Sequence, residues 1–422
     1  MKAIVYPGKC HGKVVIPPSK SMSHRAIICA SLAEGVSTIS NVAYSDDIIA
    51  TINAMKALGA TIEMNQDTLT ITGVNSTIKN VETEVDAHES GSTLRFIVPI
   101  FSLSNQKVTF TGKNRLLYRP QGVYKTMFEE QSLYFYQDTS KLEIEGALKP
   151  QAYLIDGSIS SQFISGLLFT LPLLNDDSTI KIIPPFESES YVTLTIELLS
   201  LFGIQIERLD ELTYHIKGKQ KYKANNYRVE GDYSQLAFHA VLAALNNDLE
   251  LDGVSHKSLQ GDKAIIDILK NSGINIENTL TGYIIHKSNV MSTTVDLADC
   301  PDLGPILCVL GSFAEKFHIT NCNRLRIKES DRIAAMENAL QPIGSNITSD
   351  ENNIYITKNL PYHGNVTVDG AKDHRIVMSM SVMATLLDSP LTITNAEAIN
   401  KSYPAFFDDL KKLGIEVQLI ND

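Results

Sequence analysis

The sequence predicts an α/β protein built from six copies of one unit. Two features carry this prediction: glycines that end helices recur about every 70 residues, and Ile- or Val-led polar segments that open apolar helices recur at a similar interval. The composition, with 43% hydrophobic and 20% charged residues, is typical of a globular chain. A length of 422 residues exceeds what one core usually supports, so we expect at least two domains.

The first repeated feature is a helix that ends in glycine and runs into a strand. These glycines are at positions 59, 203, 273, 344 and 414, with a double interval after the first. Each is predicted to be the residue that ends a helix in a left-handed turn. The helix before Gly59 has a 3.6-residue apolar period, and Ser45 is predicted to cap it, with Asp46 and Asp47 in its first turn.

The double interval predicts a sixth copy near residue 131. The segment 128–135 (FEEQSLYF) fits the same pattern without a glycine. After each turn, alternating apolar residues predict a pair of strands, as at 204–206 and 212–216. The last copy is cut short by the C-terminus.

The second repeated feature is the polar segment that opens an apolar helix. Its copies begin near Ile16, Val85, Ile155, Val229, Val295 and Val368. In the first copy, two prolines hold the chain extended, Ser21 and Ser23 are candidate N-caps, and the apolar run from Ala26 predicts a buried helix.

Three polar side chains of this first copy predict an anion site. Lys20, Ser21 and Arg25 fall at or just inside the helix N-terminus, where unpaired N–H groups and the helix dipole favour negative charge. The simpler alternative is an ordinary capped helix whose Lys20 and Arg25 side chains face solvent.

Polar residues gather at the same point of the other copies, in segments 89–95 (ESGSTLR), 156–162 (DGSISSQ), 299–302 (DCPD) and 372–375 (KDHR). The segments that follow add Arg115, Arg119, Ser188, Tyr191, Arg324, Arg326, Lys328, Glu329, Asp331, Arg332 and Lys401. Each residue alone is typical of a cap or a solvated charge. If like ends of the units pack together, the set predicts a cationic, hydroxyl-rich pocket for a small polyanion with phosphate and carboxylate groups.

Charge and cysteine usage restrict the class of protein. A net charge of −11 disfavours binding to nucleic acid or to an anionic membrane. The five cysteines form no C-x-x-C pair, which favours buried, reduced thiols in a cytoplasmic protein. We find no apolar signal core at the N-terminus and no apolar run long enough for a membrane span.

Several classes of active site lack their signatures. The sequence contains no P-loop, no G-x-G-x-x-G, no H-E-x-x-H and no spaced metal-ligand cluster, so we expect no metal and no cofactor. His24, His88 and His374 stand alone and are interpreted as structural residues or as residues that support the site. The serines have no evident His/Asp relay, which argues against acyl transfer.

The ordered polar motifs resemble the enolpyruvyl transferase family, within it the branch that acts on shikimate 3-phosphate and phosphoenolpyruvate, from about Ile16 to Pro404. The matching segments are 18–21 (PSKS) with Arg25, 90–92 (SGS) with Arg95, 119–120 (RP), 156–162, 229–232 (VEGD), 301–302 (PD), 328–332 (KESDR), 373–375 (DHR) and 401–404 (KSYP). The resemblance implies an inside-out α/β barrel of two lobes, each of three βαβαββ repeats, with the active site in the cleft between them. It also implies that the chain crosses from one lobe to the other twice, near residues 13–19 and 227–232. Residues 1–15 with 230–422 would then form the C-terminal lobe, and residues 16–229 the N-terminal lobe.

The resemblance implies that the enolpyruvyl group of phosphoenolpyruvate is transferred to the 5-hydroxyl of shikimate 3-phosphate through a tetrahedral intermediate, with release of phosphate. This is a step towards chorismate and aromatic amino acids, and the target of glyphosate. Asp302, Glu329 and Lys20 would be catalytic, with Asp302 as base. The shikimate 3-phosphate site would comprise Lys20, Ser21, Arg25, Ser160, Ser161, Gln162, Ser188, Tyr191, Asp302 and Lys328. The phosphoenolpyruvate site would comprise Lys20, Gly91, Arg119, Gln162, Arg332, Arg375 and Lys401. We expect a monomer.

Two residues depart from the family pattern: Glu89 stands where Asn is usual, and Phe96 stands where Pro is common. Both flank the predicted phosphoenolpyruvate loop, so they bear on its shape and its response to glyphosate-like inhibitors.

Three rival readings remain. A sister enzyme that acts on UDP-N-acetylglucosamine has Asn in place of Ser21 and a cysteine in the loop that here reads GKNRLLYR (112–119). The other rivals are a protein that binds nucleic-acid ends and a relative that binds substrate without turnover.

Overall fold

The computed structural model describes residues 1–421, and over this range the chain forms 24 strands and twelve α-helices. The strands are Lys2–Val5 (β1), Lys13–Val15 (β2), Val36–Ser40 (β3), Thr61–Asn65 (β4), Thr68–Thr72 (β5), Glu84–Asp86 (β6), Val108–Thr111 (β7), Tyr134–Gln137 (β8), Lys141–Glu145 (β9), Ala152–Asp156 (β10), Ser178–Ile183 (β11), Ile206–Arg208 (β12), Thr213–Ile216 (β13), Tyr227–Arg228 (β14), Leu249–Asp252 (β15), Ile276–Asn278 (β16), Gly282–Ile285 (β17), Thr293–Asp296 (β18), Phe317–Thr320 (β19), Asn346–Ser349 (β20), Ile354–Thr357 (β21), Thr367–Asp369 (β22), Leu391–Thr394 (β23) and Val417–Ile420 (β24).

The α-helices are Lys20–Leu32 (α1), Asp46–Ala57 (α2), Gly91–Ser102 (α3), Gly122–Glu130 (α4), Ser161–Thr170 (α5), Glu189–Leu201 (α6), Tyr233–Leu245 (α7), Ala264–Asn271 (α8), Gly304–Gly311 (α9), Arg332–Leu340 (α10), His374–Ala384 (α11) and Phe406–Lys412 (α12). Short 3₁₀ helices at Leu116–Tyr118, Pro301–Leu303, Asn323–Ile327 and Ala396–Lys401 lie in the polar loops. Within residues 1–421, every helix is too short or too polar to cross a membrane.

The sixfold repeat is confirmed by the sheets. Among the described residues, the strands form six four-stranded sheets of the same pattern. In the sheet β6-β7-β9-β8, β6 and β7 are parallel on either side of the crossover helix α3, and β8 and β9 form an antiparallel hairpin that adds to β7. The crossover places the start of each such helix beside the carboxyl end of the strand before it.

The predicted glycine turns are confirmed, because Gly59, Gly203, Gly273, Gly344 and Gly414 all have left-handed backbone angles, with φ between 81° and 112°. In the sixth copy, Ser132 takes the left-handed conformation, with φ 56°. The 70-residue repeat therefore located this turn, although serine adopts the left-handed conformation less readily than glycine.

Two compact units make up the chain. One consists of Met1–Pro17 with the chain from Glu230 onward, and the other of Pro18–Val229. In the first unit, β1 pairs with β23 and β24, so the N-terminal strand completes the sheet that the C-terminal repeat leaves unfinished. In the same unit β2 pairs with β15, while β14 pairs with β3 in the other unit.

The helix that follows the first polar segment, α1, is capped two residues before the first predicted candidate. Ser19, not Ser21 or Ser23, is the N-cap: its backbone is extended and its side chain accepts a 3.4 Å hydrogen bond from the Met22 N–H. Ser45 is the N-cap of α2, as predicted, although its side chain makes no capping hydrogen bond. The predicted burial of α1 is confirmed from Met22 to Leu32.

The packing of α3 against α5 requires a glycine. A Cβ at Gly166 would overlap the Tyr124 hydroxyl and the Arg95 carbonyl oxygen, which are hydrogen-bonded to each other. We expect Gly166→Ala to lower the free energy of unfolding by about 2–3 kcal/mol, the usual scale of core overpacking.

Gly122→Ala is the matched control, since nothing lies within 4 Å of a Cβ at this position at the start of α4. It is expected to raise the free energy of unfolding by about 0.5–1 kcal/mol because alanine favours the helix. Chemical denaturation of both variants measures the difference. Equal stability of the two variants would contradict this account of the packing.

Candidate active site

In the unit Pro18–Val229, a lysine and an aspartate join the first turns of α1 and α2. Lys20 donates a hydrogen bond from Nζ to Asp47 Oδ2 over 2.6 Å. Both side chains are largely buried, and Oδ1 of Asp47 makes no hydrogen bond within residues 1–421. The sequence pointed to Lys20, but it assigned Asp47 only to the first turn of α2, because a contact across 27 residues leaves no local pattern.

Arg25 ties α1 to α6 from a buried position. Its Nε donates to Thr195 Oγ1 at 2.8 Å, and its Nη atoms donate to the carbonyl oxygens of Ser21 and Tyr191 at 2.9 and 3.0 Å. The guanidinium carbon also lies 5.0 Å from the centre of the Phe96 ring. Burial lowers the pKa of Arg25 to about 10. Phe96, the departure from the family pattern, therefore packs against a predicted substrate residue.

Arg95 links the starts of α3 and α5. Its Nη1 donates to Gln162 Oε1 at 2.9 Å and lies 3.4 Å from Ser160 Oγ, and Gln162 Nε2 donates to Ser92 Oγ at 2.9 Å. Ser160 caps α5 by accepting from the backbone N–H of Gln162, and Ser161 is the first residue of this helix. The sequence motif includes Arg95, but the two predicted substrate sites do not contain it.

The backbone of Gly91 lies close to the Arg119 side chain. A Cβ at Gly91 would lie 2.5 Å from Arg119 Nη1, so only glycine leaves room for this approach. The Nε of Arg119 is buried and makes no hydrogen bond within residues 1–421. Glu89, the other departure, accepts a 2.6 Å hydrogen bond from Asn114 and joins the loop before α3 to the loop that carries Arg119.

Ser188 begins α6 in a left-handed conformation, with φ 57°, and its side chain is buried. Tyr191 follows within the first turn and is half-buried. Hydroxyls thus stand at the starts of both α5 and α6, where the positive end of the helix dipole favours a phosphate group.

In the other unit, two buried arginines join the buried Asp373 to the partly exposed Asp302 in one network. Arg332 donates from Nη1 to Asp302 Oδ1 at 3.0 Å and from Nε to Asp373 Oδ2 at 2.9 Å. Arg375 Nη2 donates to Asp302 Oδ2 at 2.7 Å. Asp373 also caps α11 by accepting from the Arg375 backbone N–H at 3.0 Å. Both oxygens of Asp302 are therefore held by guanidinium groups.

The same network sets the ionisation of its members. Burial opposes charge on both Asp373 and Arg332, but their attraction outweighs it, so the pKa of Asp373 is lowered and that of Arg332 is raised. Lys328 lies at the edge, with Nζ 4.0 Å from Asp302 Oδ1. Burial lowers the pKa of Lys328 to about 7. The negative charge of Asp302 raises this pKa, whereas the positive charges of neighbouring arginines, including Arg332, lower it further.

Glu329, Asp373 and His374 come together beside this network. His374 Nδ1 lies 3.0 Å from Glu329 Oε2, and Lys401 Nζ lies 3.9 Å from the same oxygen. Potential ligand atoms of the three residues lie within 4.8 Å of one another. The sequence predicted no cluster of metal-ligand residues, and this prediction is wrong, because the fold brings three such residues together. His374 does not stand alone either. Spacing missed the group because Glu329 is distant in sequence from the other two.

The charge around these three residues does not favour a divalent cation. Asp373 already accepts from Arg332 and from Ser330 Oγ at 3.0 Å, and Lys401 donates to the Lys372 carbonyl oxygen at 2.7 Å beside Glu329. A metal ion would face these fixed positive groups. The arrangement is better suited to an anion that replaces a carboxylate as their partner.

Comparison with known proteins identifies close relatives. The family model described as EPSP synthase (3-phosphoshikimate 1-carboxyvinyltransferase) matches residues 5–410. A 3-phosphoshikimate 1-carboxyvinyltransferase of Clostridium beijerinckii is 44% identical over 421 residues, which cover 97% of each chain. Another, from Clostridium botulinum, is 44% identical over 418 residues, with 97% of this chain and 96% of the relative covered.

Solved structures share the architecture. An EPSP synthase from Acinetobacter baumannii superposes with a TM-score of 0.81 at 25% identity, covering 99% of this chain and all of the other. An enolpyruvyl transferase from Streptomyces tendae, at 15% identity, has the same fold with a TM-score of 0.79 over 99% of this chain and 98% of the other.

The environment of Lys328 predicts an amine that titrates near neutrality, so the fraction of cationic Lys328 falls as the pH rises through about 7. Asp302→Asn removes the neighbouring negative charge that favours the ammonium form, and it is expected to lower the pKa of Lys328 further. NMR titration of labelled lysine side chains, with the signal assigned by its loss in Lys328→Arg, measures both values. A Lys328 that titrates near the ordinary lysine pKa would overturn this description.

Proposed function

The chain belongs to the EPSP synthase family and transfers the enolpyruvyl group of phosphoenolpyruvate to shikimate 3-phosphate, and we propose that the polar ends of its central helices carry this reaction. The observation that supports the assignment of residues is the gathering, within each unit, of cations and hydroxyls at helix N-termini. Both substrates are polyanions, and such ends bind anions.

The shikimate 3-phosphate site is proposed to comprise Lys20, Ser21, Arg25, Ser160, Ser161, Gln162, Ser188, Tyr191, Asp302 and Lys328. Three of the five N–H groups of Arg25 are bonded within the protein, so two can reach a carboxylate. Ser160, Ser161 and Ser188 supply hydroxyls for the phosphate group, and the bonds of Arg25 support a fixed position for its guanidinium.

The phosphoenolpyruvate site is proposed to comprise Lys20, Gly91, Arg119, Gln162, Arg332, Arg375 and Lys401. Gly91 offers a backbone N–H at the start of α3 next to Arg119. Arg332 and Arg375 hold Asp302 in the structure, and an incoming phosphate or carboxylate competes with Asp302 for them. We infer that substrate binding loosens Asp302 from its arginines and leaves its carboxylate able to accept a proton.

The reaction needs a base and an acid. As the enol methylene carbon takes a proton, the 5-hydroxyl oxygen bonds to C2 and its proton passes to the base, which gives a tetrahedral adduct. Loss of a methyl proton and of phosphate then restores the double bond. We assign the base at the hydroxyl to Asp302, and the proton transfers at the methylene carbon to Glu329 and Lys20. His374 Nδ1 and Lys401 Nζ lie 3.0 and 3.9 Å from Glu329 Oε2, and we infer that these contacts orient the Glu329 carboxyl group.

We further infer that the protein is a cytoplasmic monomer that does not bind nucleic acid. All five cysteines lie among the described residues as buried free thiols, which suits a reducing compartment. The net charge of −11 disfavours binding to nucleic acid. Analytical ultracentrifugation tests the oligomeric state, and filter binding at low salt tests nucleic-acid binding.

Phosphate release on mixing the protein with both substrates tests the proposed reaction. We expect release with shikimate 3-phosphate as the acceptor, none with UDP-N-acetylglucosamine, and an unchanged rate in excess chelator, because arginines and lysines supply the positive charge. Loss of activity in chelator that Mg²⁺ restores would contradict the metal-free assignment, and would point to Glu329, Asp373 and His374 as the ligands.

Asp302→Asn keeps the size of the side chain and removes the base. We expect kcat to fall by ~10² or more, the usual scale of general acid–base catalysis. The Kd of shikimate 3-phosphate, measured by calorimetry, is expected to change much less. The matched control is Asp331→Asn, since Asp331 caps α10 and pairs with Arg326 at 3.4 Å. Near-normal turnover in Asp302→Asn would exclude it as the base.

A further inference from the structure

A chain of buried hydrogen bonds runs beneath the starts of α1, α2 and α3. His24 Nδ1 lies 2.7 Å from Thr51 Oγ1, Thr51 Oγ1 lies 2.6 Å from Thr93 Oγ1, and Thr93 Oγ1 lies 2.7 Å from Ser90 Oγ. All four side chains are fully buried. None of them belongs to the proposed substrate sites, so the roles assigned above do not account for the chain.

The chain lies one helical turn below the Lys20–Asp47 bond. His24 follows Lys20 by four residues in α1, and Thr51 follows Asp47 by four residues in α2, so each pair shares a helix face. The two helices are therefore joined twice, once at their first turns and once in the buried layer beneath. Thr93 extends the buried layer to α3.

One direction of hydrogen bonding fits the contacts of the chain. Thr93 Oγ1 also lies 3.4 Å from the carbonyl oxygen of Asp47, which can only accept. Ser90 Oγ accepts from the backbone N–H of Thr93 at 3.1 Å and from its hydroxyl. A hydroxyl has one proton, so Thr93 accepts from Thr51, and Thr51 in turn accepts from His24. His24 is then the tautomer with its proton on Nδ1. Burial lowers the pKa of His24 to about 3, which keeps the ring neutral.

We propose that His24, Thr51 and Thr93 are positioning residues that hold the Ser90 cap of α3, and with it the backbone of Gly91, in place relative to Lys20. The proposal rests on the phosphoenolpyruvate site assigned above to Gly91 and Arg119. In that site Arg119 Nη1 lies 2.5 Å from where a Cβ of Gly91 would be, so the guanidinium group approaches the backbone next to the Ser90 cap directly. A shift of ~1 Å in such a site is enough to cost up to ~10² in rate.

Thr51→Val and Thr51→Ser separate positioning from packing. Valine keeps the volume and removes the hydroxyl, whereas serine keeps the hydroxyl and removes a methyl group. We expect Thr51→Val to raise the KM for phosphoenolpyruvate about tenfold, the scale of one lost buried hydrogen bond, with the KM for shikimate 3-phosphate within about twofold of the parent. Thr51→Ser is expected to restore the KM for phosphoenolpyruvate.

Thr170→Val is the matched control, since Thr170 is equally buried and its hydroxyl donates to the Gly166 carbonyl oxygen of its own helix at 2.9 Å. It is expected to leave both KM values unchanged. The proposal is overturned if Thr51→Val raises both KM values alike, or if Thr51→Ser is as impaired as Thr51→Val.

The tautomer of His24 gives a test in the unaltered protein. Nitrogen-15 NMR of histidine-labelled protein is expected to show His24 protonated on Nδ1 and bare on Nε2, with no change of state between pH 5 and 9. Protonation on Nε2 would overturn the hydrogen-bonded chain even if Thr51→Val does not fold. Absence of phosphate release by the parent protein would instead contradict the proposed function and leave this tautomer test intact.

Discussion

The unpaired backbone N–H groups at buried helix N-termini are the constraint on which the rest of the structure depends. In each unit, strand–helix–strand crossovers start the central helices beside the carboxyl ends of parallel strands. These starts carry positive partial charge and donors that must be satisfied. The chain meets this need with side-chain caps at Ser19, Ser90, Ser160, Asp232 and Asp373. Groups that cap a helix also lie where an anion would bind.

The two units satisfy this constraint with different chemistry. The unit Pro18–Val229 caps its central helices with hydroxyls, whereas the other unit uses carboxylates at Asp232 and Asp373. Asp373 also neutralises the buried Arg332 guanidinium, and removing one partner of such a pair typically costs about 3–5 kcal/mol. The positive charge beside the Asp373 cap is therefore already paired with a carboxylate, as Lys20 in the unit Pro18–Val229 is paired with Asp47.

The departures from the family pattern have local explanations. Phe96 packs under the Arg25 guanidinium and meets Phe169 edge to face, with ring centres 5.5 Å apart. A proline at this position would restrict the backbone, whereas the phenylalanine ring packs against the Arg25 side chain. Glu89 bonds to Asn114 and so joins two loops. Both contacts join residues that are distant in sequence. The sequence therefore identified the two positions as unusual but did not predict their contacts.

The sequence by itself determined the repeat, its turns and the helix starts, because these depend on local patterns: apolar period, left-handed turns and capping residues. It located the turn at Ser132 from spacing alone. Tertiary structure decided the partners. Asp47 reaches Lys20, Arg332 joins Asp302 to Asp373, and β1 completes the sheet of the last repeat. These contacts join residues distant in the chain, and their energy comes from burial and charge pairing that only the folded chain brings together.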